Sequence, residues 1–273
     1  PFDAPPGDVP YEDWLVRDRE LWSSFPDRLR AATKGWPVEP IGAPSWDASA
    51  IRVSDALVSV RRLQEQRWSS HNAELTVSRL CSTTAFVQFA QIIAEDLPRF
   101  HACYNNSVRA YRTANKIKSR HHPVPDLAND GDWLEAPFWL WSSTDPRRRR
   151  LFARRVRDGI EITDLQTERH HLSISPDDPC EVAVEQLRQL RVQGVKLRSR
   201  ALLTTMFARL FLCDLFIHGI GGAKYDQLTD AIIQQFFGFA APTFLTVTAT
   251  AKLPIEHRVV SETEVREIQR KLR

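Results

Sequence analysis

The 273 residues include one methionine, Met206, only four cysteines and ten glycines, and neither sign of charge dominates. Each scarcity excludes something. With 10 Gly and 17 Pro the chain is neither collagen-like nor a linker. Thirty-seven basic against 34 acidic residues leave a net charge of +3 beside 42% hydrophobic content, which excludes wholesale disorder. The same balance argues against nucleic acid as a partner of the whole surface. Cys81, Cys103, Cys180 and Cys213 lack CxxC spacing, so they predict neither a disulfide framework nor a zinc site. Reduced thiols in a cytoplasmic protein, and no metal site, are the expectation. No apolar run approaches the roughly 18 residues of a membrane span, and residues 210–220 are interrupted by Asp214 and His218. Pro1 to Pro10 is acidic and proline-rich, unlike a signal peptide, so no membrane partner is expected. The chain opens at Pro1 without an initiator, and a charged helix starting at Glu262 runs off at Arg273. Further sequence is therefore expected at both ends, and a homodimer through such C-terminal helices stays open.

What is present divides into two styles. Residues 1–150 read as mainly helical with proline punctuation, an insertion in a core or a flank of one. Tyr11 to Arg30 suits an amphipathic helix interrupted near Pro26; helices are predicted from Ser54, over about 76–94 and over about 100–118, with Pro98 at the break. Trp133 to Trp141 packs three Trp and one Phe into nine residues, and Pro137 predicts a bend rather than a continuous central strand. From 151 to 258 the pattern becomes strand (159–163), helix (177–191, capped by Ser175), strand (195–197), apolar helix (201–212), a turn at 219–222, helix (225–237) and a β-branched run (243–251). Such alternation predicts an α/β, Rossmann-like parallel sheet core, with 259–273 as the start of a C-terminal helix.

The stretch from Asp214 to Asp226 carries the most chemistry. An apolar segment enters a turn holding Gly219, Gly221 and Gly222 and leaves on a helix. Glycines permit positive φ and close approach of a ligand to amide groups, and the helix start favours an anion. Lys224 adds a full charge there, Tyr225 follows it, and His218 would stand at the mouth to handle protons together with Asp226. A tight turn between buried elements, with His218 satisfied by a carbonyl, is the competing reading. Arg198 and Arg200, just before the apolar helix, suit bidentate capture of a second anionic group, or are plain surface arginines. Asp226 and Asp230, four apart, read as a solvated helix face more readily than as a metal pair. The Trp133 to Trp141 cluster reads as core packing before it reads as a pocket lining. Seven of the eleven residues from Arg147 to Arg157 are arginine, a solvated helix start or an electrostatic patch for phosphates.

Phe216 to Asp226, His71 to Glu74, Glu135 to Trp139 and Leu202 to Pro254 resemble a family of uncharacterised bacterial proteins of planctomycete type. More distantly, Arg198 to Leu253 resembles the core of the bacillithiol-biosynthesis cysteine-adding enzyme: an Arg-led segment, an apolar stretch, a glycine-rich turn with a Tyr, a helix, a Gly-x-Pro region and a strand. Arg198, Gly219 to Gly222, Tyr225, Gly238, Pro242 and Phe244 to Ala251 carry the likeness, while Lys224 stands where that family has Glu and Ser199 where it has Pro. The resemblance implies a Rossmann-like core with helical insertions and amide-forming ligation onto a carboxylate or sugar-derived substrate. The functional expectation is a ligase-like enzyme acting on an anionic small molecule bearing carboxylate or phosphate. Its alternative is a non-catalytic nucleotide or small-molecule binding protein, and a third class is an RNA-associated protein using Arg147 to Arg157. No cofactor follows from the sequence.

Overall fold

The structure is a computed structural model describing residues 9–36, 49–175, 178–250 and 261–271. After a 3-10 turn at Tyr11–Asp13 come α1 (Arg19–Ser23), α2 (Phe25–Ala32), α3 (Val53–Arg67), α4 (Val77–Leu80), α5 (Thr84–Glu95) and α6 (Leu97–Ala114). Strands β1 (Asn129–Asp130), β2 (Trp133–Ser142), β3 (Arg149–Val156), β4 (Gly159–Thr163) and β5 (Arg169–Leu172) follow. Next are α7 (Cys180–Val192), β6 (Val195–Ser199) and α8 (Ala201–Phe207), which runs on as a π-helical turn over Ala208–Leu212. The rest is β7 (Phe216–His218), α9 (Ile220–Phe237), β8 (Phe244–Thr246) and α10 (Glu262–Lys271).

Two compact units divide the chain: Pro1–Trp14 with Asn72–Thr248, and Leu15–His71 with Ala249–Arg273. Both are discontinuous in sequence, and the boundary expected after residue 150 falls inside β3. In the second unit Trp22, Ala50 and Ala56 form a small core, and an antiparallel bridge joins Leu15 to Arg52.

The first unit holds a sheet of order β1-β2-β3-β4-β5, with β6 also paired to β2, and every one of these pairings is antiparallel. The expected Rossmann-like parallel core is therefore corrected. Connection length explains it. Only residues 143–148, 157–158 and 164–168 join β2 to β3, β3 to β4 and β4 to β5. A parallel neighbour needs a crossover of about a dozen residues, which none of these supplies. Helix α7 is long enough for one, yet it delivers β6 antiparallel to β2. Among the described residues parallel pairing is confined to β7 and β8, joined through α9. There a strand, a helix and a strand do form one parallel pair.

Pro137 does not end β2. The strand pairs Ala136 with Leu151, then Trp139 with Arg150, so Pro137 and Phe138 bulge out of the ladder with β3. A residue without an N–H is tolerated where the ladder is already broken. Arg147 to Arg157, expected to begin a helix, mostly forms β3.

The helices pack one continuous core against this sheet. Thr83 caps α5 by accepting from the Phe86 N–H, and Phe86, Phe89 and Ile93 bury one stripe of it. Phe100, Tyr104 and Val108 do the same for α6, and Leu228, Ile232, Ile233 and Phe236 for α9. Helix α9 stops at Gly238, whose φ of 81° is the left-handed conformation glycine adopts without strain. Between the sheet and helices α5 and α7 an apolar void of about 70 Å³ remains, because five alanines (90, 94, 136, 153, 183) stand in its walls. Leaving that volume unfilled costs on the order of 2 kcal/mol relative to close packing. Among the described residues no helix is long and apolar enough to cross a membrane.

Candidate functional site

Strand β6 reads Val-Lys-Leu-Arg-Ser, and its register on β2 decides where each side chain goes. Phe138 faces Ser199 and Leu140 faces Leu197, on the face turned to the core. Trp139 faces Arg198 and Trp141 faces Lys196, on the opposite face, because strand side chains alternate. Two tryptophans and two cations are thus forced into one layer.

That layer walls a cleft of about 770 Å³ whose lining includes Trp139, Trp141, Arg148, Arg198 and Arg200, with Val124 and Leu202 among its apolar surfaces. Arg148 and Arg200 lie over the Trp139 ring, 4.5 and 4.4 Å from its centroid, and Arg198 lies 5.4 Å from that of Trp141. Stacking on an indole holds a guanidinium in place while leaving its N–H edge for a ligand, at a gain of about 0.5–2 kcal/mol each.

The acids nearby fix the rest. Glu135, wholly buried, accepts from Arg200 at 2.5 Å, from Arg150 at 3.1 Å and from the Ala128 N–H at 2.8 Å. Glu12 accepts from Arg198 at 3.1 Å, and Asp13 from Lys196 at 2.5 Å and from the Trp141 indole at 3.0 Å. Five cations therefore face three carboxylates. Arg148 is exposed and makes no ion pair among the described residues, and the buried Nε atoms of Arg198 and Arg200 find no hydrogen-bond acceptor. The surplus is positive, and it points at the cleft.

The opposite wall is pinned by α6. Asn105 donates to the Leu127 carbonyl and accepts from its N–H, while Arg112 donates to the carbonyls of Arg120, His122 and Val124 and pairs with Asp126. These bonds seat Val124 and Pro125 against the cleft. Tyr104 lines it too, and burial pushes its phenol up to about 12. Because the folded value lies above the unfolded one of about 10, the stabilisation is complete below pH 10 and disappears as pH rises toward 12. The expected loss across that window is roughly 2–3 kcal/mol, and Tyr104→Phe should lack it when urea melts are compared at pH 9 and 12.

Of the residues singled out in the sequence, Arg198 and Arg200 reach this cleft; His218, Gly219, Gly221, Gly222, Lys224, Tyr225 and Asp226 do not line it. Asp226, 1% exposed, accepts from Arg209 at 2.9 Å, His218 Nε2 at 2.7 Å and Thr205 at 2.9 Å. Arg209 is equally buried and also pairs with Asp230 at 2.6 Å and donates to the Pro242 carbonyl. The His218 ring sits between Phe216 and Phe244, with centroids 4.5 and 5.5 Å away. The glycines take no positive φ; Gly219 is the extended N-cap of α9, and Gly221 and Gly222 belong to its first turn. The turn expected at 219–222 is replaced by a helix start. Gly222 has a packing reason, since a Cβ there would meet His218 Nδ1 at 2.5 Å. Thr205 links the two regions, lining the cleft while donating to Asp226.

Sequence reasoning missed Glu135 as a site residue and Arg209 as the buried partner of both aspartates, and it ranked pocket lining behind core packing for Trp139 and a phosphate patch behind a solvated helix start for Arg148. The alternation Trp-Leu-Trp against Lys-Leu-Arg was the available signal for the cleft, and a lone arginine in an apolar run for Arg209. Elsewhere the arginine-rich segment is largely neutralised: Arg147 and Arg149 pair with Asp145, and Arg154 with Glu161. Ser175 does not cap α7; its N–H donates to Asp178, and Pro179 occupies the N-cap. Among the described residues no group of three or more His, Cys, Asp or Glu is arranged to hold a metal ion, and all four cysteines are free. Compared with known proteins, the chain matches no family model and no curated sequence.

Proposed function

We propose that this protein binds an anionic small molecule, bearing phosphate or carboxylate, in the cleft between Trp139, Arg148, Arg198 and Arg200. The observation that carries the reading is Arg148, held on Trp139 without an ion pair beside two guanidiniums whose Nε groups have no acceptor. A ligand anion supplies Arg148 with the counterion it lacks, and the volume admits a molecule of nucleotide size. Binding without chemistry is favoured over ligation, because the residues placed to handle protons, His218 and Asp226, are engaged with Arg209 and Thr205 outside the cleft. What the resemblance to the cysteine-adding enzyme contributes to this proposal is the anionic ligand, not the reaction. A cytoplasmic setting belongs to the same proposal, supported by four free thiols.

Calorimetric titration with inorganic phosphate, pyrophosphate and AMP tests the reading. At least one should bind, and Arg148→Ala should weaken it about tenfold or more, the value of a charge-assisted hydrogen bond. The exposed position predicts an unchanged melting temperature. Equal affinity in wild type and variant for every anion would sink the proposal.

A further inference from the structure

A second space opens beside α7, sharing Arg198 with the tryptophan cleft. Between α7 and the core side of the sheet lies a chamber of about 260 Å³, and the apolar void of about 70 Å³ adjoins it. The two share Val87, Ile162, Leu187 and Leu197 in their linings, so they are adjacent compartments. The inner compartment is walled almost wholly by aliphatic side chains and Phe138, while the outer one reaches Arg188 and Arg191 on α7 and Arg198 on β6. Arg188 is held by Glu185 through two bonds of 2.7 Å, and Arg198 by Glu12. Arg191 makes no ion pair or side-chain hydrogen bond among the described residues.

We propose that this space is a second ligand site that takes an aliphatic monocarboxylate, with the hydrocarbon in the two compartments and the carboxylate on Arg191. Charge and polarity select this class together. An aliphatic end with Gln91 as its polar lining residue favours hydrocarbon and offers a phosphate no cation. A cation at the mouth favours an anionic end over a neutral alkane. Helix α7 provides both features through its spacing: Val184 and Leu187 face the chamber, and Arg188 and Arg191 stand at its outer margin.

The test is titration with sodium octanoate, with 1-octanol as the uncharged analogue, followed by calorimetry and by displacement of a fluorescent fatty-acid probe. Wild type should bind both, octanoate more tightly. Arg191→Ala should weaken octanoate about tenfold and leave octanol unchanged. Ala153→Val, which adds two methyl groups to a wall of the inner compartment and suits a strand, should reduce both. Circular dichroism checks that this variant is folded; if it is not, the Arg191→Ala comparison decides alone. Arg148→Ala, which disables the tryptophan cleft, should bind octanoate as wild type does. The proposal is overturned if wild type ignores octanoate, or if Arg191→Ala binds it undiminished. It is equally overturned if a folded Ala153→Val binds undiminished, or if Arg148→Ala abolishes binding and so places octanoate in the other cleft.

Discussion

Asp226→Asn should lower the free energy of unfolding by about 3–5 kcal/mol, the cost of breaking a buried ion pair from one side. Three donors converge on this carboxylate, and Arg209 beside it is as inaccessible as Asp226 itself. An asparagine keeps the shape but presents an NH₂ where Oδ2 accepts from both Arg209 and His218, so two donors would face a third. Asp230 then remains the ion-pair partner of Arg209. Guanidinium chloride melts at pH 7 read the effect directly. A variant as stable as wild type would show that Asp226 is free to act as a base and is not the counterion of this network. Replacing Arg209 and Asp226 together by apolar residues of similar volume should recover much of the loss, as buried pairs often can be exchanged that way.

Glu135→Gln should cost a comparable amount, about 3 kcal/mol, and should weaken anion binding as well. The side chain sits at the centre of three bonds, one to a backbone N–H and two to guanidiniums from different strands or loops. Losing the charge removes the restraint that keeps Arg200 over Trp139. Stability and affinity should therefore fall together, whereas Arg148→Ala should affect affinity alone. Thermal melts with and without pyrophosphate separate the two effects, and a Glu135→Gln protein with wild-type affinity would remove Glu135 from the positioning of Arg200.

The two variants probe clusters of different legibility. Arg198 and Arg200 could be picked out because arginines just after a strand candidate are chemically conspicuous. Their tryptophan partners could not, since Trp141 lies 57 residues before Arg198 and Trp139 lies 61 before Arg200, and the pairing of β2 with β6 is what brings them together. Alternation within Trp133 to Trp141 was present, but Pro137 masked it: a proline normally denies a central strand, and only a bulge opposite β3 lets the strand continue. The glycine stretch shows the reverse case. Three glycines near His and Lys carry the composition of a ligand loop, yet Gly219 is an extended N-cap, Gly221 and Gly222 take ordinary helical backbone, and Gly222 serves to admit the His218 ring.

The scarcities noted at the outset, in methionine, cysteine and glycine and in charge of one sign, set the class of molecule and little more. By itself the sequence determined the local elements: the amphipathic stripes of α5, α6 and α9, the stop at Gly238, and the strands β4 and β6, since each depends on residues within a turn or two of one another. It did not determine the direction in which the strands pair. Alternating strands and helices are compatible with parallel and antiparallel sheets alike, and the tight connections from β2 to β5 settle the matter only once β2 and β3 are known to be strands. The division of labour among the charged residues was likewise decided in three dimensions. Whether an aspartate is a base or a counterion depends on whether a residue like Arg209 is folded against it, and burial makes that choice binding because an unpaired charge cannot remain there.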